Sequence, residues 1–131
     1  MSLREGPGNL SLHQWYQPLK AVTELDGAGR LVDFPRADDE PLPPLATVLG
    51  IKAAANGTVY ILDNGIRGKV TPKVVVYRGR LVRTIPLPLG VTDTNSFVSN
   101  VAIDTRRDRL YISDLAGGTN APLIVVSVAD G

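Results

Sequence analysis

Apolar and polar positions follow one another in short runs along this chain, and the runs come in an order that is used more than once. "TVYIL" (58–62) and "KVVVY" (73–77) are dense in β-branched and aromatic residues, and "RLVRTIPL" (80–87) alternates in polarity. Each predicts a strand. Turns separate them: "ANG" (55–57), where Asn56 and Gly57 can take positive φ, and "RG" (78–79). With the apolar stretch "VLGIKAAA" (48–55) ahead of them and "DNGIRGKVTP" (63–72) as a loop, this predicts four strands between Val48 and Leu87.

The order then returns. "SFVSNVAID" (96–104) predicts a strand, "TRRD" a turn, "RLYIS" (109–113) a strand, "DLAGGTNAP" (114–122) a loop and "LIVVSV" (123–128) a strand. Tyr60 and Tyr111 stand 51 positions apart, and so do Asp63 and Asp114. Nearer the start, "KAVTEL" (20–25), a "DGAG" turn and "GRLVDFP" (29–35) predict two more strands, and "GRLV" recurs at 79–82. "SLHQWY" (11–16) predicts a strand before them.

A period near 50 residues with four short strands per unit reads as the blade of a β-propeller, an all-β fold of four-stranded antiparallel sheets. No stripe of 3.6 period favours a helical solenoid, and a β-sandwich would not require the repeated register. Residues 1–35 read as the end of one blade, 48–87 as a full blade and 97–131 as an incomplete one, all within a single partial propeller region spanning 1–131. Closed propellers have four or more blades, so about two and a half leave edges and apolar flanks that favour self-association.

Composition narrows the function classes. Apolar residues at 44% and a mean hydropathy of +0.05 suit a globular chain rather than a disordered one. Lys and Arg number 14 against 13 Asp and Glu, with no basic stripe, which argues against a nucleic-acid partner. Arg106, Arg107 and Arg109 are interrupted by Asp108. There is no cysteine, which excludes thiolate chemistry and disulfides. Apolar runs such as "PLIVVSVA" fall far short of a bilayer span, so no membrane partner is expected. "MSLREGPGNL" carries no signal-peptide pattern, and the compartment is left open.

The stretches "GPGN", "SLHQWY", "LGIKAAANGTVYILDNG", "TPKVVVY", "IPLP" and "VTDTNSFVSNVAIDTRRDRLYISDLAGGTNAPLIVV" together resemble the yellow/major royal jelly protein family, in its bacterial dopachrome-tautomerase-related form. The resemblance implies a six-bladed propeller, often secreted, with a small-molecule site of catechol or biogenic-amine type at one mouth of the central channel. Family members usually carry a hairpin between "GPGN" and "SLHQ"; here Asn9-Leu10 runs directly into Ser11. Where the family tends to have Asn-Asp, this chain has Ser99-Asn100, which removes a carboxylate expected near the channel.

Inner strands of a propeller line its channel, so Asn95, Ser96, Phe97 and Asn100 are the candidate ligand-binding residues: amide and hydroxyl oxygens beside an aromatic wall. The related gluconolactonase-like propellers place an Asn on a divalent cation, which makes Asn100 a candidate ligand for calcium, a hard cation that also wants carboxylates. A metal-dependent lactonase or isomerase-like enzyme is thus one alternative function, and a truncated segment without activity of its own is another; no catalytic residue is singled out. His13, the single histidine, is a candidate ligand contact as well as a packing residue beside Trp15 and Tyr16. Asp63 and Asp114 read either as channel-mouth carboxylates or as caps of their loops' N–H groups. Their recurrence in both units favours the cap.

Overall fold

The computed structural model describes residues 22–116 and 121–129; His13 and the strand expected at 11–16 lie outside them. The described residues are all-β apart from one helical turn. β1 (Thr23–Leu25) and β2 (Leu31–Asp33) form a hairpin. β3 (Val48–Ala53), β4 (Val59–Asp63), β5 (Lys73–Tyr77) and β6 (Leu81–Pro86) form a four-stranded sheet. β7 (Val98–Asp104), β8 (Arg109–Asp114) and β9 (Leu123–Ser127) form a three-stranded one. Every ladder pair within these sheets is antiparallel, and each strand neighbours the next in sequence.

The turns explain the hairpins. Gly57 has φ +85°, and Asn56 Oδ1 accepts the Thr58 N–H at 3.0 Å, an arrangement suited to reversing the chain between β3 and β4. Asp108, at φ +50°, plays the corresponding part between β7 and β8. The segment expected as a plain loop after Asp63 contains the single turn α1 (Gly65–Gly68).

The repeat read from sequence is also a repeat of register. In the four-stranded sheet Val48 pairs with Asp63 and Gly50 with Leu62, the ladder shifting across Leu49. In the three-stranded sheet Val98 pairs with Asp114 and Asn100 with Ser113, shifting across Ser99. The same irregularity recurs at the same place in both units. Tyr60 and Tyr111 accordingly occupy matching ladder positions, opposite Lys52 and Ala102.

Two apolar layers hold the sheets together. One face of the four-stranded sheet carries Tyr60, Leu62, Val74 and Val76, packed with Val98, Leu110, Ile112 and Ile124 of the three-stranded sheet. The opposite face carries Ile61 and Val75, which join Val22 and the partly buried Phe34, Leu42 and Leu45. Two alternating faces of one strand thus serve two cores, as a period of two dictates. Enclosing a Leu, Ile or Val side chain contributes about 1.5–3 kcal/mol.

The first strands of the two larger sheets lie side by side. A Cβ on Gly50 would stand 3.2 Å from Val101 N and 3.3 Å from Asn100 Cα. Only glycine allows β3 and β7 to pass this close without a shift.

Candidate functional site

Asp63 and Asp114 close their loops in the same way, and the difference between them defines the site. Asp63 Oδ1 accepts the N–H groups of Thr47 (2.8 Å) and Gly65 (2.9 Å), while Oδ2 accepts that of Ala46 (2.8 Å). Lys73, opposite Asp63 on β5, brings Nζ to 3.4 Å from Oδ2 and donates to Pro44 O at 2.7 Å. Burial pushes the Asp63 carboxyl upward, but the three N–H bonds and the nearby ammonium outweigh it and hold the group below the usual carboxylate range. This is a fully satisfied cap.

Asp114 repeats half of that arrangement. Its Oδ1 accepts the N–H groups of Phe97 (2.7 Å) and Ala116 (2.9 Å), the counterparts of Thr47 and Gly65. Leu115 N donates to Phe97 O at 2.9 Å just as Asn64 N donates to Thr47 O at 2.8 Å. Oδ2, however, has no hydrogen-bond partner among the described residues, although the residue is only 4% exposed. Both groups that serve Asp63 Oδ2 are gone. The Ser96 N–H, which stands where Ala46 does, turns instead to Asp93 O at 3.1 Å. One step beyond the Ser113–Leu123 pair the register brings Pro122 opposite Asp114, so a proline stands in the place of Lys73. An unpartnered buried carboxylate oxygen is costly. It is also a ready acceptor for a cation.

The described residues expected to bind a ligand have unequal roles. Asp93 and Ser96 hold each other: Asp93 N donates to Ser96 Oγ at 2.8 Å, and Asn95 N donates to Asp93 Oδ1 at 2.7 Å. Ser96 is buried, Asn95 is exposed and Phe97 is half-buried. Asn100 is exposed, and its Oδ1 accepts the Val101 N–H at 2.9 Å. The structure therefore brings Ser96 and Phe97 next to Asp114 through the backbone, and places Asn100 further along β7, at the close approach to Gly50. No group of three or more His, Cys, Asp or Glu stands together among the described residues, so Asn100 has no cluster of such ligands there to share a metal with.

A separate cavity of about 360 Å³ opens between the β1–β2 hairpin and residues 42–45, walled by Val22, Phe34, Pro35, Leu42 and Leu45 with Asp33 at its margin. None of the described candidate ligand residues lines it. Tyr77, whose O–H donates to Glu40 O and whose ring meets Phe34 edge-on at 5.5 Å, braces that side of the chain.

The residue that sequence reasoning underweighted is Asp114. Its capping role is what recurrence suggested. The signal for the rest lay in aligning "PKVVV" with "APLIVV", which shows the lysine missing from the second unit. Among the described residues no helix is long and apolar enough to cross a membrane. No known protein family matches the chain, and no curated protein shows detectable similarity to it.

Proposed function

We propose that this chain is part of a yellow/major royal jelly-like β-propeller and takes part in binding a small primary amine of the biogenic-amine type, with Asp114 as the receiving carboxylate. The all-β fold, the antiparallel strand order shared by the four-stranded and three-stranded sheets and the side-by-side first strands support the propeller reading. The observation that carries the ligand class is the unpartnered Oδ2 of Asp114, set against the Lys73 ammonium beside the matching oxygen of Asp63.

A primary ammonium is compact and offers three donors, so it can stand where Lys73 stands in the first unit. Charge-assisted hydrogen bonds of this kind are about twice as strong as neutral ones. Phe97, whose own N–H anchors Asp114, offers a ring for a catechol to stack on or for the ammonium to face, worth about 0.5–2 kcal/mol. Asn95 supplies an exposed amide in the segment just ahead of β7.

The test is a calorimetric titration with dopamine and, separately, with catechol, which lacks the amine. Dopamine is expected to bind, catechol at least tenfold more weakly, and Asp114→Asn to remove that difference while the protein stays folded. Equal binding of both compounds, binding unchanged in Asp114→Asn, or no heat from either would overturn the assignment.

A further inference from the structure

The dipeptide Asn-Gly occurs twice, at 56–57 and at 64–65, and the fold treats the two copies in opposite ways. Asn-Gly is chemically labile, because glycine presents an unshielded main-chain nitrogen to the side-chain amide before it. Asn56 is exposed at the tip of the β3–β4 hairpin. Its Oδ1 accepts the Thr58 N–H at 3.0 Å. That donor polarises the amide carbonyl and can bond the oxyanion that forms when Cγ is attacked. The Gly57 N–H is held by Ala54 O at 3.0 Å, at an exposed tip where such bonds open readily. Apart from its own chain neighbours, no heavy atom lies within 4 Å of a Cβ placed on Gly57, so water and hydroxide reach this turn.

The second copy is sealed. Asn64 is 1% exposed, its Nδ2 donates to Val98 O at 2.8 Å, and its own N–H donates to Thr47 O at 2.8 Å. The amide that would have to leave is therefore anchored to β7. The Gly65 N–H donates to Asp63 Oδ1 at 2.9 Å. Removing the proton from that nitrogen would set a second negative charge against the carboxylate, which opposes the attack.

We infer that Asn56 is a site of spontaneous deamidation in the folded chain, that Asn64 is protected by the fold, and that conversion at Asn56 opens the β3–β4 hairpin. Hydroxide removes the Gly57 N–H proton, and the nitrogen attacks Asn56 Cγ. The Cγ–Nδ2 bond breaks and Nδ2 leaves as ammonia, taking up a proton, which closes a succinimide ring. Water then opens the ring at one of its two carbonyls and leaves aspartate or isoaspartate. The net change is water consumed and ammonia released, with no redox step. Isoaspartate carries an extra methylene in the main chain at the turn closed by the Ala54 N–Thr58 O (2.8 Å) and Gly57 N–Ala54 O (3.0 Å) bonds. Those bonds lead into the Ala53–Val59 and Lys52–Tyr60 pairs, so the lengthened turn unfastens that end of the sheet. Asp63 stands at the other end, opposite Val48, and the inference is independent of the amine site.

Mass spectrometry on the full chain, held at mildly alkaline pH with and without urea, tests it. Both asparagines fall in one tryptic peptide, "AAANGTVYILDNGIR" (53–67), so fragment ions must place the mass gained when NH2 is replaced by OH. In the folded chain the gain is expected at Asn56 at least tenfold faster than at Asn64, because Asn64 must first be exposed by opening of the fold. In urea the two should convert at similar rates. Asn56→Gln should abolish the gain in the folded chain, since the longer side chain closes a less favourable ring. The converted chain should unfold at lower urea than the fresh one. A difference smaller than tenfold in the folded chain overturns the inference. So does an Asn56 that stays intact while the unfolded chain converts, or a urea midpoint unchanged by conversion.

Discussion

Replacing Asp63 by alanine is expected to cost about 3 kcal/mol or more, a large share of the roughly 5–15 kcal/mol that holds a small domain together. The substitution strands three N–H groups, those of Ala46, Thr47 and Gly65, and leaves the Lys73 ammonium without its carboxylate. The stranded groups sit where β3 begins and where α1 begins, which is one end of the antiparallel β3–β4 pair, so both strands loosen there at once. Asp63→Asn keeps an acceptor oxygen and costs less, but it changes the acid limb of stability. The Asp63 carboxyl is held below its ordinary pKa in the folded chain. Its contribution is therefore full above the unfolded-state pKa and is lost as pH falls through the folded one. Denaturant unfolding followed from neutral pH into acid should show that loss in the parent chain and a flatter profile in Asp63→Asn. Parallel profiles would mean that the pairing with Lys73 and the three N–H groups contributes no net stability.

Gly65→Ala is expected to exceed the roughly 3 kcal/mol that bounds most substitutions. Gly65 has φ +67°, and a Cβ there would stand 1.9 Å from Val70 O. That carbonyl accepts no substitute position cheaply, because the Gly65 O of the same turn receives the Val70 N–H at 2.9 Å. Gly57→Ala is the control: φ is +85°, but nothing lies within 4 Å of the added carbon. It should show only the left-handed backbone cost of about 1–2 kcal/mol. Urea unfolding of the two variants separates backbone strain from collision. Equal losses would show that the turn after Asp63 relaxes freely.

The strands were legible because each is a short β-branched or aromatic run between turn residues, and "TVYIL", "KVVVY" and "RLYIS" all lie where the pattern placed them. The turn α1 was not legible. Its residues, Gly-Ile-Arg-Gly, have little helical preference, and it depends on the Asp63 cap and on the Val70–Gly65 bond. Ser96, Phe97 and Asn100 were legible as polar and aromatic groups just ahead of and at the start of β7. What each one bonds was not, since Ser96 answers to Asp93 and Asn100 to its own neighbour in the chain. Least legible was the state of Asp114. Asp63 and Asp114 look alike in sequence, and they differ through the Ser96 N–H, which turns to Asp93 where that of Ala46 serves Asp63, and through a residue one strand away, Lys73 against Pro122. That distinction appears once the ladders give the register.

The measurement that bears most directly on the site is the melting temperature and dopamine affinity of Pro122→Lys, which returns a lysine to the position that Lys73 holds in the first unit. With Asp114 Oδ2 unpartnered among the described residues, the tethered ammonium should bond to it, raise the melting temperature and weaken dopamine binding at least tenfold. An unchanged or lower melting temperature together with undiminished dopamine binding would contradict the assignment of Asp114 as the amine-receiving carboxylate.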